Sequence, residues 1–150
     1  MRRILLIILS MLLLSSCNTY DSNKAKENGD IIPGHPGPVN LDKIDIFIKD
    51  FETQKESKIR ITSYTEEGDP IISDLNFNGK EIEYIFDNSR DKHGGKQKGK
   101  YDTTCKSIEK KNVTRGDSAR GVEYILTNCK EIIGIHYSEK QEIYLMFKAQ

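Results

Sequence analysis

Apolar positions recur at helical spacing once the chain reaches Leu41. Leu41, Ile44, Phe47, Ile48 and Phe51 form one stripe, Asn40 is a favoured N-cap, and Asp42 falls in the first turn where the helix dipole favours a carboxylate. After Glu56 the period drops to two: between Lys58 and Thr65, Ile59 and Ile61 alternate with Arg60 and Thr62 up to the turn Glu67-Gly68-Asp69-Pro70. A hairpin follows, and Asn78-Gly79 is the preferred pair for a two-residue type I′ turn. That turn sets Leu75 opposite Ile82, Ser73 opposite Tyr84 and Ile71 opposite Phe86, all on one face. Tyr101 to Lys111 and Gly121 to Lys130 make a second hairpin; if Cys105 faces Cys129, then Ile108 faces Leu126 and Lys111 faces Glu123. Ile132 to Tyr137 and Glu142 to Phe147 alternate around Ser138-Glu139-Lys140 as a closing hairpin. The pattern predicts an α+β fold over residues 40–150, with one N-terminal helix packed on an antiparallel sheet of about six or seven strands built from hairpins.

The stretch before Leu41 is of another kind. Met1-Arg2-Arg3 is a positive head, Ile4 to Leu14 is apolar but for Ser10, and Leu14-Ser15-Ser16-Cys17 has the form of a bacterial lipobox. The apolar run is well short of the roughly 20 residues that a membrane span requires. Residues 1–16 therefore read as a lipoprotein signal peptide, and Cys17 as the residue that receives diacylglycerol. A lipid there predicts a protein anchored to the outer face of the cell membrane, outside the cytoplasm. Residues 17–39 carry no apolar period and are broken by Asn28-Gly29, Pro33, Gly34, Pro36, Gly37 and Pro38. They read as a linker, whose roughly 25 Å span would hold the domain clear of the headgroups.

Charge removes some functions. Lys and Arg total 23 and Asp and Glu total 23, a balance that argues against a nucleic-acid partner. With Cys17 taken by lipid, Cys105 and Cys129 are an even pair in an oxidising compartment, and a disulfide between them would contribute roughly 3 kcal/mol. On the outer face of the first hairpin, Asp74 opposes Glu83 and Asn76 opposes Glu81. Facing carboxylates repel, so Arg60, a lysine or a divalent cation belongs beside them. The loop from Asp87 to Tyr101 is basic: Arg90, Lys92, His93, Lys96, Lys98 and Lys100. Asp87, Ser89 and Asp91 start like a calcium loop, but Lys92 occupies the position that needs glycine. Lys92, Lys96, Lys98 and Lys100 are candidates for contact with an anionic surface, either headgroups or cell-wall polymer.

Catalytic signatures are sparse. His35, His93 and His136 have no ligand spacing, and the sequence contains no glycine-rich phosphate loop and no Gly-x-Ser-x-Gly elbow. No metal and no cofactor is expected. Arg115-Gly116-Asp117 and Asn112-Val113-Thr114 occur once each and read as coincidence. Three readings follow: a binding or interaction module at the envelope, whose partner is an envelope protein or an anionic polymer; a small hydrolase using Asp74, Glu81 and Glu83; or a passive structural protein.

Three segments carry a resemblance. Arg60 to Ile71, Phe86 to Ser89 with Asp91-Lys92 and Gly94-Gly95, and Thr103 to Ile108 resemble a family of small Gram-positive lipoproteins catalogued as a domain of unknown function, number four-three-six-two. The resemblance runs from about Gly29 to Cys129. It implies a similar fold and a surface lipoprotein, and it brings no functional residues.

Overall fold

The computed structural model describes residues 20–116, 118–134 and 142–150. Six strands form one antiparallel sheet in the order β1 to β6, curved into a half-barrel. They are β1 (Ser57–Tyr64), β2 (Pro70–Phe77), β3 (Ile82–Asp87), β4 (Lys100–Arg115), β5 (Ala119–Cys129) and β6 (Ile143–Ala149). Two α-helices are described, α1 (Ser22–Glu27) and α2 (Lys43–Glu52), with a 3-10 turn at Gly95–Gln97.

This corrects the α+β expectation. The described chain is predominantly antiparallel sheet with short helices, and its first helix, α1, precedes the one that the apolar period marks. Ile44, Phe47 and Ile48 of α2 join the core with Ile61, Leu75, Phe77, Ile82, Tyr84 and Leu126, and Phe51 meets Phe77 ring to ring at 4.9 Å. Asn40 is not the cap of α2. It adopts φ 55 and its amide donates to Asp30 O at 2.9 Å, leaving Asp42 at the N-cap.

The larger correction concerns residues 20–39. They are folded where a linker was expected, because their order rests on caps, hydrogen bonds and the buried pair Ile31-Ile32, with no apolar stripe to announce it. Asp21 Oδ1 accepts from Lys24 N at 2.9 Å to start α1. Gly29, at φ 81, ends it: Asp30 N donates to Ala25 O and Gly29 N to Lys26 O, the paired bonds of a Schellman motif. Ile31 then runs parallel to β1, its N–H on Arg60 O and its carbonyl accepting from Thr62 N. Ile32 and Val39 exchange two bonds, closing Pro33 to Pro38 into a loop. Ile31 and Ile32 are buried.

The hairpin registers divide. Cys105 faces Cys129, Ile108 faces Leu126 and Lys111 faces Glu123 along β4–β5. In β2–β3, however, Phe77 faces Ile82, Leu75 faces Tyr84 and Ser73 faces Phe86, a slip of two residues from the expected pairing. Asn78 is the reason. Its Oδ1 accepts from Lys80 N and Glu81 N, each at 3.0 Å, so the turn holds four residues in place of two. A slip of two keeps every side chain on its face, and the apolar set stays inward. β6 pairs with β5; residues 135–141, part of the expected closing hairpin, lie outside the described residues.

Candidate functional site

A cleft of about 540 Å³ opens where the 28–31 segment leaves the edge of β1. Asn28 to Ile31 line it together with Lys43, Lys58, Arg60, Asp74, Asn76 and Glu83. Arg60 O and Thr62 N both bond Ile31, so the even-numbered residues of β1 direct their backbone polar groups at this edge. Lys58, two residues earlier, presents its N–H and C=O in the same sense. There the neighbouring segment has turned into α1, and the edge of β1 opens onto the cleft.

The segment above the cleft is held by polar contacts. Asp30 is buried and its Oδ2 accepts from Thr62 Oγ1 at 2.6 Å and from the Tyr20 hydroxyl at 2.7 Å. The Tyr20 oxygen accepts in turn from Asn28 Nδ2 at 3.0 Å, and Lys43 Nζ donates to Gly29 O. The Tyr64 hydroxyl is enclosed without a described partner, and burial pushes its pKa up to about 12.

The acidic face is not what facing carboxylates would make. Asp74 lies opposite Ile85 along β3 and opposite Arg60 along β1. Arg60 clamps it bidentately, Nε to Oδ1 at 2.6 Å and Nη2 to Oδ2 at 2.9 Å. Glu83 faces Asn76, whose Nδ2 reaches it at 3.4 Å, and Glu81 sits in the turn beyond the strand. With the register slip none of the three carboxylates lies directly opposite another, and Arg60 is the cation beside Asp74. Among the described residues no group of three His, Cys, Asp or Glu is placed to hold a metal ion.

The basic loop is built on side-chain hydrogen bonds to its own backbone. Asn88 is buried, donating from Nδ2 to Gln97 O at 3.2 Å and accepting from Gly99 N at 2.8 Å. Asp91 Oδ1 accepts from His93 N. Asp69 takes Lys92 N at 2.8 Å and the Lys92 ammonium at 3.2 Å. The Lys92 backbone N–H and ammonium, outweighing burial, hold the Asp69 carboxyl below its usual range. Burial would raise Asp87, but hydrogen bonds from Ser89 and the nearby Arg90 and Lys100 hold it low as well. The loop's carboxylates are therefore spent on the loop itself, while Lys96, Lys98 and Lys100 are exposed. Lys96 also lines a groove of about 320 Å³ with Phe86, Tyr101, Ile132 and Ile133.

Cys105 and Cys129 are joined by a disulfide that staples β4 to β5. His35 and His93 are exposed; Cys17, Asp117 and His136 lie outside the described residues. Sequence reasoning missed a hub at Asp45, in the first turn of α2, which receives Lys110 Nζ at 2.6 Å, Lys148 Nζ at 2.7 Å and the Tyr124 hydroxyl at 3.0 Å. One helix is thereby tied to β4, β5 and β6. Burial would raise Asp45, but these three donors together bring it to about 2. No spacing in the sequence announces this, since the partners lie 65, 79 and 103 residues away.

Two family models match the chain. Residues 1–18 match the prokaryotic membrane lipoprotein lipid attachment site, whose one cysteine here is Cys17. The chain is a membrane-anchored lipoprotein, and no described helix is long and apolar enough to cross a membrane. No curated protein and no solved structure matches significantly. Residues 28–120, more than half the chain, match the model for Domain of unknown function (DUF4362), and that match begins at the end of α1, inside the folded segment. The chain belongs to that family.

Proposed function

We propose that this lipoprotein is a binding module at the outer face of the cell membrane, anchored by lipid on Cys17, and that it takes an extended segment of an envelope protein along the open edge of β1. The carrying observation is the cleft, where backbone donors and acceptors of β1 meet a lining of both charges. An added strand draws affinity from main-chain bonds and selectivity from the flanking side chains. Lys43, Lys58 and Glu83 in its lining suit a segment of mixed charge. Asp74 is engaged by Arg60 and Glu83 faces Asn76, an arrangement that favours binding over the hydrolase alternative.

Asn76 lines the cleft and is exposed, so a photo-crosslinking residue placed there in intact cells reads the site. It should give a discrete adduct with one envelope protein. Lys58→Pro removes the edge N–H that no ladder bond uses, and the adduct should disappear with it. Equal adducts from a probe at Lys80, or indifference to Lys58→Pro, would contradict the reading.

A further inference from the structure

The described fold includes Tyr20, three residues after Cys17. Three residues span at most about 11 Å, close to the roughly 8 Å over which charges are felt at physiological salt. A lipid on Cys17 therefore leaves no room for a tether, and whatever surrounds Tyr20 lies at the headgroups. Besides Asp30 and Asn28, its neighbours include the start of the basic loop: the Arg90 guanidinium lies 5.6 Å from the Tyr20 ring. Asp91 and Asp69 are buried, so the loop's outward charge is positive. Tyr101, 39% exposed, adds an amphipathic ring of the type favoured at membrane interfaces.

We infer that the loop from Arg90 to Lys100 is a membrane-docking surface, which seats the domain on the anionic headgroups of the leaflet that holds its lipid. Resting on lipid attachment at Cys17, the inference turns the anchor from a leash into one of two contacts. Lys96, Lys98 and Lys100 supply the second, electrostatic one, since Lys92 is paired with Asp69. An anionic polymer would suit the same charges, but only the membrane is brought to this loop by the covalent geometry.

The test uses the full lipidated protein on phosphatidylcholine vesicles with and without phosphatidylglycerol, reading lysine acylation by mass spectrometry. A basic side chain near an anionic surface is favoured there about fivefold. Acylation of Lys96, Lys98 and Lys100 should therefore slow about fivefold with phosphatidylglycerol, and recover at high salt. Lys80, in the turn at the far end of β3 and about 17 Å away along the strand, should not change. Co-flotation with the vesicles separates the two claims. Protein that floats yet shows equal acylation on both vesicles overturns the docking surface alone; protein that fails to float overturns the Cys17 anchor and the docking surface together. Protection by a soluble polyanion on pure phosphatidylcholine, with none from phosphatidylglycerol, overturns membrane docking in favour of a polymer.

Discussion

The two helices are attached to the sheet by different physics. α2 buries Ile44, Phe47 and Ile48 in the core and adds the ionic hub at Asp45. α1 buries only Ala25, and its segment is secured by the buried Asp30, two edge bonds from Ile31 and a glycine cap. Both are ordered, but only the first carries the apolar period that sequence reading relies on. The difference teaches that a segment can join a fold through caps, hydrogen bonds and two adjacent buried isoleucines that form no periodic stripe, and that here such a segment decides how close the anchor lies.

The contrast can be broken at the apolar side first. Phe47 is fully buried, so Phe47→Ala should lower unfolding free energy by about 4 kcal/mol, read as a loss of urea midpoint for the whole domain. Asp30→Ala should cost less, about 2 kcal/mol, by leaving the buried Thr62 hydroxyl unpaired. Its effect should be local: trypsin should gain access to Lys24 and Lys26 while the sheet stays folded. If Asp30→Ala instead unfolds the sheet at the same urea concentration as Phe47→Ala, the two regions are not independent.

The smallest effect belongs to Asp45. Its carboxyl is held at about 2 against an ordinary 3.8, so the folded state favours the ionised form. A lowered folded-state pKa gives stability that is present above about pH 4 and lost as pH falls toward 2. The side chain is 38% exposed, and after screening the contribution is about 1 kcal/mol. Asp45→Asn should therefore destabilise at pH 6, and its difference from wild type should close by pH 2. A constant difference across that range would show that the hub acts through packing alone.

Legibility followed the kind of force involved. The β4–β5 register was readable because one cystine fixes it and the remaining pairs are chemically consistent. The faces of β2 and β3 were readable from alternation, but their register was not: Asn78 captures two backbone N–H groups that a two-residue turn would leave elsewhere. That slip of two also changed the site, moving Glu83 from Asp74 to Asn76. The Asp21 cap and the Asn28-Gly29 stop of α1 were visible as residues. They carried no weight without an apolar stripe between them. Asp45 and its distant lysines were beyond any local reading.

The central claim is that residues 20–39 are folded onto the sheet, so that no long flexible linker separates the domain from its lipid. Amide hydrogen exchange of Ile31, Ile32 and Thr62 in the lipidated protein tests it most directly, since each N–H has a named acceptor in Arg60, Val39 and Ile31. The account predicts slowed exchange at all three, comparable with the β1–β2 ladder. Exchange of Ile31 and Ile32 at free-peptide rates would restore a flexible linker and contradict it.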